Sequence, residues 1–223
     1  MSRSTRTTRR KLDARIFRVG RKVPSAVLRE TVRVLNAGGL VIFPTDTVYG
    51  LAASVFRPAA IRRIYRLKGR SYKKPLPLLV AGRSQAEPLV EPISARLRRL
   101  VNDYWPGPLT VVFRTSTLGR LVTGGRESVA VRVPDHAAAR ALLRAFGGPL
   151  AVTSANKSGR PPAVTGAAAG KIFGGKAEIL WDGGRSPRGV ASTVLDASGP
   201  EWTLVREGAV PRRTLLKYLG LRE

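Results

Sequence analysis

Apolar residues follow two rhythms along this chain: short continuous or alternating runs, and longer stretches with helical spacing. Leu28, Val32 and Leu35 share one face of a predicted helix, with Ser25 placed to cap its start and Gly38-Gly39 to stop it. Leu40 to Phe43 then reads as a buried strand. Pro58 suits the first turn of a helix carrying Ile61, Ile64 and Tyr65 on one side. Pro77 to Ala81 is strand-like, and Ile93, Leu97, Leu100 and Val101 mark a further helix. Trp105-Pro106-Gly107-Pro108 is a turn feeding a strand from Leu109 to Phe113. Ser128 to Val133 alternates, with Val129, Val131 and Val133 on one face and Arg132 on the other. Ala137 to Phe146 is helical, Leu150 to Val152 a strand, and Gly159 to Pro162 a loop. Glu178 to Trp181, Ser192 to Leu195 and Trp202 to Val205 are late strands, followed by a helix around Thr214 to Leu219. Helices and strands are interspersed without a repeat or an internal linker, which predicts one α/β domain with a mixed sheet. Residues 1–22 hold nine Lys/Arg and one Asp, and read as a basic arm ending in a short strand near Arg15 to Val19. Residues 23–223 are then the single folded domain.

Three polar clusters interrupt this apolar frame: Pro44-Thr45-Asp46-Thr47-Val48-Tyr49-Gly50-Leu51, Lys68-Gly69-Arg70 and Thr153-Ser154-Ala155-Asn156. Each follows a hydrophobic run or ends a helical pattern, and ligands of α/β sheets sit beyond the carboxyl ends of strands. Thr45 and Thr47 alternate, so an extended segment would turn both hydroxyls to one ligand. Gly50 permits close backbone approach. Lys68 and Arg70, two apart around a glycine, are able to flank one phosphate chain, the lysine as a point charge and the arginine as a planar fork. Cations at a helix C-terminus are equally an ordinary response to the helix dipole. Arg132, among valines, needs a counter-charge if buried, either a ligand carboxylate or a structural Asp. Ser154 and Asn156 alternate to one side, or merely cap a turn. His136 opens an alanine-rich helix, where it reads as a helix-start residue.

The 223-residue chain has no cysteine and one histidine, which removes thiolate nucleophiles, disulfides and His-cluster metal sites. Neither a P-loop pattern nor a strand–G-x-G-x-x-G–helix arrangement is present. Lys and Arg number 40 against 14 Asp and Glu, a formal net charge of +26, which favours polyanions such as RNA or phosphorylated metabolites. Met1 to Arg10 leads into no apolar stretch and no 18-residue apolar run occurs, so neither a secretory signal nor a membrane span is expected, and the cytoplasm is the default location.

Taken in order, Phe43 to Leu51, Lys68-Gly69-Arg70 with Lys74-Pro75-Leu76, Trp105 to Thr110, Val129 to Pro134, Ser154-Ala155-Asn156, Ser192-Thr193-Val194 and Arg206-Glu207-Gly208 resemble the YrdC-like threonylcarbamoyl-adenylate synthases. The resemblance runs from about Val23 to Val210. It implies an open, twisted mixed sheet flanked by helices with a basic concave face. It also implies a nucleotidyltransferase that makes threonylcarbamoyl-adenylate and pyrophosphate from L-threonine, bicarbonate and ATP, with Mg²⁺ on the phosphates, for tRNA modification. By the same resemblance, Thr47, Arg132, Ser154 and Ser192 hold threonine. Lys68, Arg70, Lys74, Ser128, Asn156, Val164 and Arg206 line the ATP site, with Lys68 and Arg70 as the catalytic cations. No protein-built metal site is expected, Asp46 being the carboxylate nearest the phosphates. Expected partners are tRNA or other RNA on the basic surface and the downstream threonylcarbamoyl-transferase proteins. The match is to the short form, without an extra C-terminal domain. The chain departs from the pattern at Leu79, where many members carry histidine, and at Lys74, where others often carry a polar amide. The competing expectation is an RNA-binding or ribosome-associated relative with a vestigial nucleotide site.

Overall fold

In the computed structural model, which describes residues 14–219, the strands are β1 (Arg15–Arg18), β2 (Val41–Phe43), β3 (Gly50–Ser54), β4 (Leu78–Leu79), β5 (Leu109–Arg114), β6 (Ser128–Arg132), β7 (Leu150–Ser154), β8 (Ile179–Asp182), β9 (Thr193–Asp196) and β10 (Thr203–Arg206). They join in one ten-stranded sheet ordered β1-β8-β2-β3-β7-β4-β6-β5-β9-β10. Parallel and antiparallel pairs mix, as the interspersed elements predict: β2 runs parallel to β8 and antiparallel to β3, and β6 parallel to β4 and antiparallel to β5. The helices are α1 (Ser25–Asn36), α2 (Pro58–Lys68), α3 (Arg83–Ala86), α4 (Ala95–Tyr104), α5 (Thr117–Thr123), α6 (Ala137–Phe146), α7 (Gly166–Phe173) and α8 (Arg212–Leu219), with a 3₁₀ turn at Glu87–Leu89.

The sheet has two unlike faces. On one, Val111, Phe113, Val129, Val131 and Leu195 are buried against Ile64 of α2 and Leu97, Leu100 and Val101 of α4 in a continuous core. On the other, α1 and α6 lay Val34, Leu35, Leu142 and Leu143 over Val41, Phe43, Ala52, Val152 and Trp181. These helices cover the β8-β2-β3-β7 half. The remaining half, toward β6, β5, β9 and β10, carries Ala130, Arg132, Thr110, Val112, Ser192 and Val194, and opens into a cleft. The alternation read from Ser128 to Val133 is what separates Val129 and Val131, in the core, from Ala130 and Arg132, in the cleft.

Local chemistry explains where the elements stop. Gly69, at φ 62°, ends α2 in the left-handed conformation, its N–H and that of Arg70 bonding back to Arg66 and Tyr65 carbonyls. His136 caps α6 by accepting the Ala139 N–H, as its helix-start position predicts. Ser25 does not cap α1: it lies inside the first turn, the N-cap is Pro24, and no side-chain cap bond forms. The short strand expected near Arg15 is present as β1, paired parallel with β8, whereas residues 1–13 of the expected arm lie outside the described residues. Three helices have no counterpart in the sequence reading: the single-turn α3, α5 and α7. Neither α5 nor the glycine- and alanine-rich α7 has enough bulky residues at helical spacing to announce itself.

The half-covered face gives a direct contrast. Leu142→Ala, in the covered half, is expected to cost about 2–5 kcal/mol in a urea unfolding series. Val205→Ala, 59% exposed at the cleft rim, is expected to stay within about 0.5 kcal/mol.

Candidate active site

The open half of the sheet floors a cleft of about 600 Å³, the size of a nucleotide-scale ligand site. Its lining includes five Lys or Arg residues, Arg70, Lys73, Lys74, Arg132 and Arg206, and no Asp or Glu. The floor between them is apolar, from Pro77 and Leu79 through Val112, Ala130, Val152 and Val194. Such a cavity suits an elongated anion with some apolar surface.

Arg132 anchors one end. It is 5% exposed, and three of its five N–H groups are engaged: Nε donates to Gly107 O at 2.9 Å, Nη1 to Thr47 Oγ1 at 2.8 Å, and Nη2 to Asp46 Oδ1. Burial lowers its pKa, opposed by the Asp46 carboxylate. Of the two counter-charges open to Arg132 from sequence, the structure supplies the Asp, and the guanidinium still borders the cleft. Asp46 Oδ1 also accepts the Asp135 N–H at 3.1 Å, while Oδ2 is buried without a hydrogen-bond partner.

The Thr45–Thr47 segment is a turn, not the extended stretch read from the sequence. Thr45 Oγ1 donates to Val48 O at 2.6 Å and lies 3.0 Å from Thr47 Oγ1, so the two hydroxyls do converge, through local turn bonds. Opposite them, Ser192 Oγ lies 2.8 Å from Thr110 Oγ1. Arg206 donates through Nη2 to Ser192 O at 2.7 Å. A register shift between Leu204 and Arg206 lets both Val205 and Arg206 reach the cleft. The Arg206 pKa is lowered by burial and then by the charge of Arg70. An anion between these two guanidiniums relieves that repulsion.

Lys68 and Arg70 part company at Gly69. Arg70 lines the cleft, its Nε and Nη2 donating to Lys74 O at 2.9 Å and Pro75 O at 3.0 Å. Lys68 turns inward, is 3% exposed, and is absent from the cleft lining. Its Nζ donates to Ser154 O and Asn156 O, each at 2.6 Å, and to Asn156 Oδ1 at 3.1 Å. The two cations therefore do not flank one open channel.

Of the remaining residues singled out from sequence, Thr47, Lys74, Ser154 and Ser192 line the cleft. Asn156 lies behind it, its Oδ1 accepting the Ser154 hydroxyl at 2.6 Å. Ser128 lines an adjoining cavity of about 180 Å³ beneath Tyr72 and Pro75. Val164 sits on the loop whose carbonyl accepts the Ser186 N–H at 2.8 Å, outside the cleft lining. Thr110 was missed as a site residue, although its place one step past Leu109 in an alternating strand puts it on the Arg132 face.

Among the described residues no three His, Cys, Asp or Glu side chains gather to hold a metal. The carboxylate singled out from the sequence, Asp46, directs Oδ1 to Arg132 and to the Asp135 N–H.

The family model described as telomere recombination, Sua5/YciO/YrdC, matches residues 33–208. The threonylcarbamoyl-AMP synthase of Pyrococcus abyssi is 37% identical over 208 residues, covering 92% of this chain and 61% of that protein. The Thiobacillus denitrificans threonylcarbamoyl-AMP synthase is 40% identical over 163 residues, covering 73% of this chain and 86% of that one. The crystal structure of P. abyssi Sua5 complexed with L-threonine superposes with a TM-score of 0.85 at 37% identity, over 92% of this chain and 61% of that one. Escherichia coli YciO, at 23% identity and a TM-score of 0.80, shares the fold over 92% of this chain and 99% of its own. The chain thus spans about three fifths of the P. abyssi relative and the greater part of the shorter ones.

The Asp46–Arg132 pair makes a sharp expectation. Asp46→Asn removes the counter-charge of a buried guanidinium and is expected to lower unfolding free energy by about 3–5 kcal/mol, read from urea denaturation. A loss below about 1 kcal/mol means that Arg132 does not depend on that carboxylate.

Proposed function

This chain belongs to the Sua5/YciO/YrdC family, and from that premise we propose that its cleft makes threonylcarbamoyl-adenylate from L-threonine, bicarbonate and ATP. The observation that carries the reading is a cleft with hydroxyls and a buried guanidinium at one end, further cations beyond, and no lining carboxylate. That pattern suits an amino-acid carboxylate at one end and a polyphosphate at the other. The relative crystallised with L-threonine, which shares the fold at a TM-score of 0.85, supports the first half.

The chemistry is two transfers. The neutral amine of threonine attacks the carbon of bicarbonate; the C–N bond forms, and the bicarbonate hydroxyl leaves with an amine proton as water. A carbamate oxygen then attacks the α-phosphorus of ATP, forming the O–P bond and breaking the bond to pyrophosphate. No covalent enzyme intermediate is needed, so the protein works by alignment and by cations aimed at phosphate charge. In this reading the free N–H groups of Arg132 bind the threonine carboxylate, with Thr47, Ser154 and Ser192 around it. Arg70, Lys74 and Arg206 meet the phosphates, while Ser128, Asn156 and Val164, which lie around the cleft and not in its lining, support the nucleoside end from outside that lining. Mg²⁺ accompanies ATP and neutralises phosphate charge. The product goes on to a threonylcarbamoyl-transferase acting on tRNA in the cytoplasm, and the surplus of basic residues attracts that RNA.

An omission assay tests the reading: protein, ATP, Mg²⁺, bicarbonate and threonine together are expected to release pyrophosphate, and leaving out any one substrate to stop it. Equal release without threonine, or orthophosphate in place of pyrophosphate, points to a generic ATPase instead. Within the active protein, Arg70→Met is expected to raise the KM for ATP roughly ten- to a hundredfold, since one charge-assisted pair is worth about 1.5–3 kcal/mol, with the KM for threonine within about threefold.

A further inference from the structure

The Lys68 ammonium has three N–H donors, and the protein takes all of them: Ser154 O, Asn156 O and Asn156 Oδ1. The side chain is buried and borders no part of the cleft. Direct contact with a phosphate would therefore require giving up at least one of these bonds at a buried position. The acceptors belong to the end of β7 and the turn after it. Ser154 lines the cleft and hydrogen-bonds Asn156, and the Ser158 N–H returns to the Lys68 carbonyl at 2.9 Å. The last residue of α2 and the Ser154–Ser158 turn are thus stapled to each other from both directions.

We propose that Lys68 is a positioning residue, which holds the Ser154–Asn156 turn in shape for both substrates and touches neither. This rests on the reading of the cleft as a threonine and ATP site. The ammonium holds the Ser154 backbone carbonyl and both the backbone and side-chain oxygens of Asn156, and Asn156 Oδ1 in turn holds the Ser154 hydroxyl. With Ser154 assigned to threonine and Asn156 to ATP, loss of the ammonium weakens both ligands together. A phosphate ligand at this position would affect ATP alone. Burial, followed by the charges of Arg70 and Lys157, lowers the Lys68 pKa to about 8. The staple therefore releases a proton, and weakens, as pH rises through that value.

The experiment measures threonine and ATP affinity separately by titration calorimetry, at pH 7 without bicarbonate, for wild type and Lys68→Met. Weakening of both ligands by tenfold or more is the expected result. A tenfold loss for ATP with threonine within twofold overturns the proposal in favour of a direct phosphate contact, and no change in either makes Lys68 a bystander. Wild-type protein that binds neither ligand overturns the synthase reading itself, which is a distinct failure. Should Lys68→Met not fold, ¹⁵N-labelled wild type keeps the test alive. The backbone amides of Asn156 and Ser158 are expected to titrate with a midpoint at about 8 while threonine affinity falls across the same range. Amides that stay still from pH 7 to 9.5 overturn it.

Discussion

The Arg132 guanidinium is the point on which the cleft depends. A buried cation is tolerated only when its hydrogen bonds and its charge are answered, and Arg132 draws those answers from separate parts of the chain: the Asp46–Thr47 turn after β2 and the Gly107 carbonyl before β5. Asp46 in turn receives the Asp135 N–H at the approach to α6. One side chain thereby fixes the relative position of three loops at the same end of the sheet. Gly107 belongs to this arrangement for a steric reason, since a Cβ there would stand 2.3 Å from the Tyr104 carbonyl oxygen.

The second constraint is the incomplete covering of the sheet. Two helices, α1 and α6, suffice for the half built around β2, β3 and β8. Nothing among the described residues packs over the β5, β6 and β9 half in the same way, and there the strands alternate core valines with Thr110, Ala130 and Arg132. Small and polar side chains leave the open volume of the cleft. The like charges of Arg70 and Arg206 face each other across it, which disfavours the empty site electrostatically and favours an anion within it.

Lys68 and Arg70 show how a short motif divides its labour. Gly69 turns the chain with a left-handed φ, so cations two residues apart end in opposite environments. One becomes an internal staple and the other a wall of the cleft. The cost of burying the ammonium is offset by three oxygen acceptors in good range.

Much of this was legible in the sequence because it rests on local periodicity. The alternation from Ser128 to Val133 assigns Arg132 to the non-core face before any fold is known, and the glycine after Lys68 marks the end of α2. The ordered polar blocks identified the family and, with it, the mixed sheet. What the sequence left open were questions of partnership between distant residues. Arg132 demanded a counter-charge, but only the fold brings Asp46, 86 positions away, to meet it. Lys68 and Arg70 looked equivalent until burial separated them, and Thr110 gained meaning only when β9 placed Ser192 Oγ at 2.8 Å. The sequence by itself determined which residues face which way along each strand and helix, since that follows from repeat geometry. The tertiary structure alone decided which polar groups satisfy one another and which remain free for a ligand, because hydrogen bonds and charges pair by distance in space.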